Sequence, residues 1–267
     1  MLMLVSLVGK SGAVIDGTPN LRMSNLAEIS TDLAAVPCDD KLRFSEARKL
    51  FENFGATSEE ITVDKWSNIV VVKKGVGPGR IMLGAHYDKT GNGSCGATDN
   101  WTGVVTVSHI FKALRQVETK KTLVFIAFAN EEKGLVGSKE LSHRLSKEEA
   151  REYCAMINID SLGLTNSQAL TPISSSSLVK LSASTAAELK IKFTPYNIQG
   201  ASSDSAPFLF KSIPSITLSG IPQNWVDIFH TKRDQAGLVK PDLVHEGYRL
   251  ALSLLLKLDE AECRSYK

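Results

Sequence analysis

Four segments of strand length punctuate this chain: the apolar runs Ile81–Ala85 and Thr122–Ala129, and the shorter strand-like stretches Ala155–Ile159 and Pro214–Leu218. The longest, Thr122–Ala129, is apolar after its first residue, the pattern of a strand covered on both faces. Between the runs lie stretches of helical periodicity. Residues 100–116 place Val104, Val107, Phe111 and Leu114 at helical spacing, and from about residue 242 Val244, Tyr248, Ala251, Leu255 and Leu258 form one stripe. Helices are also predicted over 21–36, 41–54, 134–145 and 176–190, the second ending at Gly55. Residues 61–73 read as a strand pair region closed by the turn Gly75-Val-Gly-Pro-Gly79. This alternation predicts an α/β fold of three layers: a mostly parallel mixed sheet with helices on both faces. Without a repeat or linker, residues 1–267 read as a single domain.

Composition excludes several partners. The 31 basic and 29 acidic residues are interspersed, so the net charge of +2 provides no footprint for nucleic acid or an anionic membrane. No apolar run approaches the roughly 18 residues that a membrane helix needs. The apolar start, MLMLVSLVG, lacks a basic leader and a clear cleavage site, so residues 1–20 are open to a truncated signal peptide, a non-native extension or an extra strand. Cys38, Cys95, Cys154 and Cys263 form no Cys-x-x-Cys pair. A Cys38–Cys95 disulfide would suit an exported protein, but buried free thiols are the expectation. Export is favoured over the cytoplasm, and a monomer over an oligomer.

Ligands in open α/β sheets bind beyond the carboxyl ends of the strands, and here that edge is crowded with ionisable residues. His86, Tyr87 and Asp88 follow the first run; Asn130, Glu131 and Glu132 follow the second; Asp160 follows the third. The loop beyond the fourth carries Asp227 and His230, and Asp99 stands where helix 100–116 begins. Singly, these residues read as charged loops, caps or ordinary histidines. Together, imidazoles and carboxylates at one sheet edge point to zinc. Two divalent ions against Asp99, Glu132 and Asp160 leave one positive charge, which a bound hydroxide neutralises; one ion leaves a net negative site. Asp88, two residues from His86 along an extended backbone, is placed to fix the imidazole tautomer. His109, His143 and His245 lie away from the edge and read as surface or packing residues, whereas Asp204 and Asp227 are further candidate acids.

The strings Gly84-Ala-His-Tyr-Asp88, Gly96-Ala-Thr-Asp-Asn100, Asn130-Glu-Glu132, Gly134-Leu-Val-Gly-Ser138, Asn158-Ile-Asp160 and Phe229-His-Thr231 resemble, in order and spacing, the co-catalytic zinc aminopeptidases of the bacterial leucyl aminopeptidase type. The resemblance covers roughly residues 60 to 258. It implies two zinc ions bridged by Asp99 and a water or hydroxide, with His86 and Asp160 completing one site and Glu132 and His230 the other. It further implies Glu131 as general base, a cis Asp99–Asn100 peptide and a peptide substrate. In Ser203-Asp-Ser-Ala-Pro-Phe208, Ser205 stands where the family commonly has histidine, which puts neighbouring contacts or pocket shape in doubt. Phe193, Tyr196, Phe208, Trp225 and Phe229 are available to line an apolar side-chain pocket.

Competing readings are weaker. Gly91-Asn-Gly-Ser-Cys-Gly96 matches a dinucleotide fingerprint, but His86-Tyr-Asp88 intervenes and Asp99 puts negative charge where a pyrophosphate should sit. Gly9-Lys-Ser11 lacks the upstream glycine of a P-loop, and neither Gly-x-Ser-x-Gly nor His-Glu-x-x-His occurs. Glutaminyl cyclases resemble the same site with one zinc, but carry a longer insertion after the acidic pair and tryptophan at the position of Phe229. Related carboxypeptidases and deacylases carry an inserted domain of about 100 residues, more than the stretch from Asp160 to His230 allows. A dead binding module of the same fold would lack a ligand, and every ligand position is filled.

Overall fold

The computed structural model describes residues 18–266 apart from 92, 201 and 264, so the apolar start and Gly9-Lys-Ser11 lie outside the described residues. Two helices, α1 (Leu26–Ala34) and α2 (Asp40–Asn53), lead into β1 (Ile61–Val63), β2 (Ile69–Lys73) and β3 (Arg80–His86). Then come α3 (Thr102–Leu114), β4 (Thr122–Phe128), α4 (Val136–Arg144), α5 (Lys147–Glu152) and β5 (Tyr153–Ile159). The remainder is β6 (Ser167–Leu170), α6 (Ser176–Glu188), β7 (Phe193–Tyr196), α7 (Ala206–Phe210), β8 (Ser215–Ser219) and α8 (Pro241–Glu260).

The strands form one sheet in the order β1-β2-β4-β3-β5-β8-β6-β7. Its centre, β4-β3-β5-β8, is parallel throughout, and antiparallel pairs occur between β1 and β2, β2 and β4, and β6 and β8. Strand periodicity sorts side chains between two layers. Ile81, Leu83 and Ala85 of β3, with Leu123, Phe125 and Ala127 of β4, pack against α1, α2, α3, α6 and α8. Their neighbours Met82, Val124, Ile126 and Phe128 face the other way, against Ala150 of α5, Phe208 of α7 and Leu141 of α4. Both faces of the parallel centre are thus covered, as the apolar runs predict.

The cysteine expectation is overturned. Cys38 is bonded to Cys95 and Cys154 to Cys263, and no cysteine among the described residues is free. Cys38 is exposed at the entry to α2 while Cys95 is buried in the loop before α3, so one bond staples these two segments. The pairing depends on tertiary approach across 57 residues, which no local spacing reveals.

Candidate active site

The parallel centre of the sheet delivers ionisable side chains to one edge. His86 is the last residue of β3, Glu131 and Glu132 follow β4, Asp160 follows β5, and His230 lies beyond the turn Trp225–Asp227 after β8. Asp99 sits in the irregular turn Ala97–Trp101, whose Asp99–Asn100 peptide is cis. Its carboxylate stands between the two imidazoles. Oδ1 lies 3.1 Å from His86 Nε2, and Oδ2 lies 3.3 Å from His230 Nε2. His86 Nε2 is also 3.8 Å from Asp160 Oδ1, and His230 Nε2 is 2.9 Å from Glu132 Oε2. Two triads therefore share Asp99, namely His86-Asp99-Asp160 and Asp99-Glu132-His230, each with its donor atoms within 4.8 Å of one another.

The structure refines the part assigned to Asp88. His86 Nδ1 donates to the Asp88 backbone carbonyl at 3.2 Å, and the Asp88 carboxylate stands farther off at 3.6 Å. A carbonyl only accepts, so the proton is fixed on Nδ1 and Nε2 is left to face Asp99. The Asp88 carboxylate instead accepts the backbone N–H groups of Glu131 at 3.0 Å and Glu132 at 3.2 Å, setting the turn that carries both acids.

The electrostatics fit cation binding. Burial disfavours a charged His86, yet Glu131, Asp160, Asp88 and Asp99 outweigh it and hold the imidazole well above its usual range. Contact with Asp99 and Glu132 lifts His230 to about 10. Burial acts against an ionised Asp99, but hydrogen bonds from His230 and His86 hold it well below the ordinary carboxylate range. Burial raises Glu131 well above that range, as do Asp204, Asp160 and Asp99, against the pull of His86. Glu132 is raised chiefly by burial, and its Oε1 is buried without a partner. Protons thus hold together a cluster of donors suited to divalent ions, and one buried acceptor is left over.

Four supporting roles escaped the sequence reading. Arg43 of α2, fully buried, donates to the carbonyls of Tyr87, Cys95, Gly96 and Pro37, clamping the loop before Asp99 onto the end of β3. Asp234 accepts from the backbone N–H of Thr98 at 2.7 Å and of Asp99 at 3.2 Å. Ser203 donates to Asp160 Oδ2 at 2.5 Å while accepting from Asn158 Nδ2 at 2.6 Å. Asn100 ties its turn to β5, donating to the Ile159 carbonyl and accepting from Ser161 and Gly103. Gly96 adopts φ +60°, and a Cβ there would lie 2.6 Å from Lys89 Cβ and 2.9 Å from the Asp99 carbonyl oxygen, which leaves no room for a side chain.

The remaining candidates separate. Asp204 is wholly buried near His86, Asp88 and Asp160, and burial pushes it to about 7. Asp227 is exposed in the turn before His230 and takes no part in the cluster. Ser205 points into the core, donating to the Ile173 carbonyl and pairing with Thr217, so the serine fills a buried position rather than a contact to the cluster. His109 is buried between Ser24 and Asp32, His245 stacks on Tyr248, and His143 is exposed on α4. A cavity of 310 Å³ opens over the acidic cluster, walled by Leu170, Ile198, Ile221, Trp225 and Phe229. Of the five aromatic candidates, Trp225 and Phe229 line it; Phe208 packs beneath the sheet, Phe193 joins the main core and Tyr196 packs behind the wall.

Relatives share this architecture. Aminopeptidase YwaD of Bacillus subtilis is 35% identical over 150 residues, 53% of this chain and 32% of that protein, so the chain spans about a third of the length of this relative. Among solved structures, a zinc aminopeptidase from Bacillus subtilis superposes with a TM-score of 0.65 at 24% identity, over 74% of this chain and 52% of the other. A glutaminyl cyclase of an Acidobacteriales bacterium gives 0.75 at 15% identity, over 90% and 96%. A profile of peptidase family M28 matches residues 68–255. That span takes in His86, Asp99, Glu131, Glu132, Asp160 and His230 and most of the chain, so the chain belongs to peptidase family M28.

Proposed function

We propose that the chain is a zinc-dependent aminopeptidase that removes apolar amino-terminal residues from peptides. The observation that carries this reading is the two-sided placement of Asp99, one oxygen toward each histidine. Two zinc ions fit the two triads: His86, Asp99 and Asp160 would hold one, Asp99, Glu132 and His230 the other. Bound there, they would acidify a water and polarise the scissile carbonyl. Glu131, beside both triads, would take the proton of the attacking water and deliver it to the leaving amine. The ordered turn held by Asp88 keeps that carboxylate in place without using its own oxygens. The acids of the cluster would receive the substrate's amino-terminal ammonium, and Leu170, Ile221, Trp225 and Phe229 its apolar side chain.

The stretch from Asp160 to His230 is occupied by β6, α6, β7, α7 and β8, all built into the same sheet and its helix layers, which weighs against the carboxypeptidase reading. Two disulfides support export to an oxidising compartment.

The test is hydrolysis of aminoacyl-anilides and glutaminyl peptides after zinc is restored, with metal content measured alongside. Apolar aminoacyl substrates should be hydrolysed at two zinc ions per chain. Glu131→Gln should keep its zinc and lose about 10²–10⁴-fold in kcat. Pyroglutamate formation without hydrolysis would move the assignment to a cyclase, and a metal-free, inert native protein would move it to a binding module.

A further inference from the structure

A second cavity, of 620 Å³, runs between α4 and α7 and meets the candidate active site at Ser202, which lines both. Leu135, whose backbone N–H donates to the Glu131 carbonyl at 2.7 Å, forms part of its wall. The two helices are joined by Ser142 Oγ, which donates to the Pro207 carbonyl at 2.9 Å, so the groove is a feature of packed helices. Its chemistry differs from that of the acidic cavity. Lys139, His143 and Lys211 line it, no carboxylate does, and Phe210 stands 88% exposed beside them. Neither Lys139 nor Lys211 forms an ion pair among the described residues; Lys211 Nζ donates to the Leu145 carbonyl.

An aminopeptidase seats only the first residue in its side-chain pocket, and the rest of the peptide must leave the site along the surface. We infer that the α4–α7 groove binds the substrate segment on the carboxyl side of the scissile bond and selects peptides with acidic side chains there. The inference rests on the aminopeptidase reading and adds a substrate class to it. Ser202, common to both cavities, supplies the path, and cations without an ion-pair partner or a competing carboxylate supply the selectivity.

The test uses three amidated peptides, Leu-Ala-Asp-Asp-Ala, Leu-Ala-Ser-Ser-Ala and Leu-Ala-Lys-Lys-Ala, with a free-acid copy of the serine peptide and leucyl-anilide, which has no downstream segment. The aspartate peptide should show a KM about fivefold below that of the lysine peptide, the upper range for one exposed ion pair, at similar kcat. The gap should shrink at high salt and close both in K139A/K211A and in K139E, whose new carboxylate offsets Lys211, while leucyl-anilide hydrolysis stays unchanged in both variants. Equal KM values for the three peptides, or a gap that survives K139E, would overturn the inference. A gain confined to the free-acid copy would also overturn it, because the terminal carboxylate and not the side chains would then be recognised. Calorimetric binding of the same peptides to the Glu131→Gln protein reads the groove separately from hydrolysis. Failure of leucyl-anilide alone counts against the aminopeptidase reading and leaves this comparison intact.

Discussion

At the residue scale, the decisive feature is that Asp99 faces two imidazoles at once, and the structure devotes several buried groups to keeping it there. Asp234 holds the backbone before and at Asp99, Asn100 anchors the turn to β5, and Arg43 grips the loop from the other side. Burial lowers Arg43 to about 10, offset by Asp88, Asp99, Asp40 and Asp234, so the guanidinium stays charged at neutral pH. Arg43→Met should therefore strand buried carbonyls at Tyr87, Cys95 and Gly96, each at a cost of about 1–3 kcal/mol. A urea midpoint at the native value would show that the clamp contributes little. Most residues of the two triads were legible in the sequence because they follow recognisable strands, and Asp99 because it stands at the start of a periodic helix. Asp234 and Ser203 give no such signal, since their roles depend on which loops meet. Arg43 did leave one: it shares a stripe with Ala47, Leu50 and Phe51, and an arginine on the buried face of a helix requires partners.

At the element scale, legibility followed hydrophobic periodicity. The four predicted strand segments became β3, β4, β5 and β8, and the predicted helices formed with ends displaced by a few residues, most at the first helix, where 21–36 shortened to Leu26–Ala34. What went unseen was short or polar. β6 reads Ser-Gln-Ala-Leu and β7 reads Phe-Thr-Pro-Tyr, each too brief for a pattern, and Pro195 is tolerated because β7 is an edge strand. Yet β6 matters to the cavity wall, because Gln168 both donates to and accepts from the Ile221 backbone. The disulfides were misjudged for a similar reason, the contact being made by tertiary packing. Since Cys38–Cys95 closes a 57-residue loop, Cys38→Ser with Cys95→Ser should cost about 4 kcal/mol by the chain-entropy account. The loss is read as a lower denaturation midpoint with the metal bound. An unchanged midpoint would mean that Arg43 alone secures the loop.

At the scale of the whole molecule, a sheet edge has been assembled from buried carboxylates and imidazoles that hold together through protons, and this predicts how the metal-free protein responds to pH. His230 rises from 6.5 to about 10 and Asp204 from 3.8 to about 7, with Glu131 also raised. The folded, metal-free chain thus binds more protons at these groups than the unfolded chain does. For His230, the gain is fully present below 6.5 and is lost as pH rises through about 10. For Asp204, the unfolded carboxyl ionises near 3.8 while the folded one resists until about 7, so stability is lost between those values. Both act in the same direction, whereas Asp99, depressed, acts oppositely only at the acid end. Chelated protein should therefore lose thermal stability steadily as pH rises from about 4 to about 10. Zinc should restore most stability at the alkaline end, where cations take over from the lost protons, so the difference in Tm between loaded and chelated protein should widen with pH. The measurement is a pair of melting series across that range. A constant difference would mean that the proton-held cluster and the metal-held cluster are not the same set of side chains, and the two-triad reading of Asp99 would fall with it.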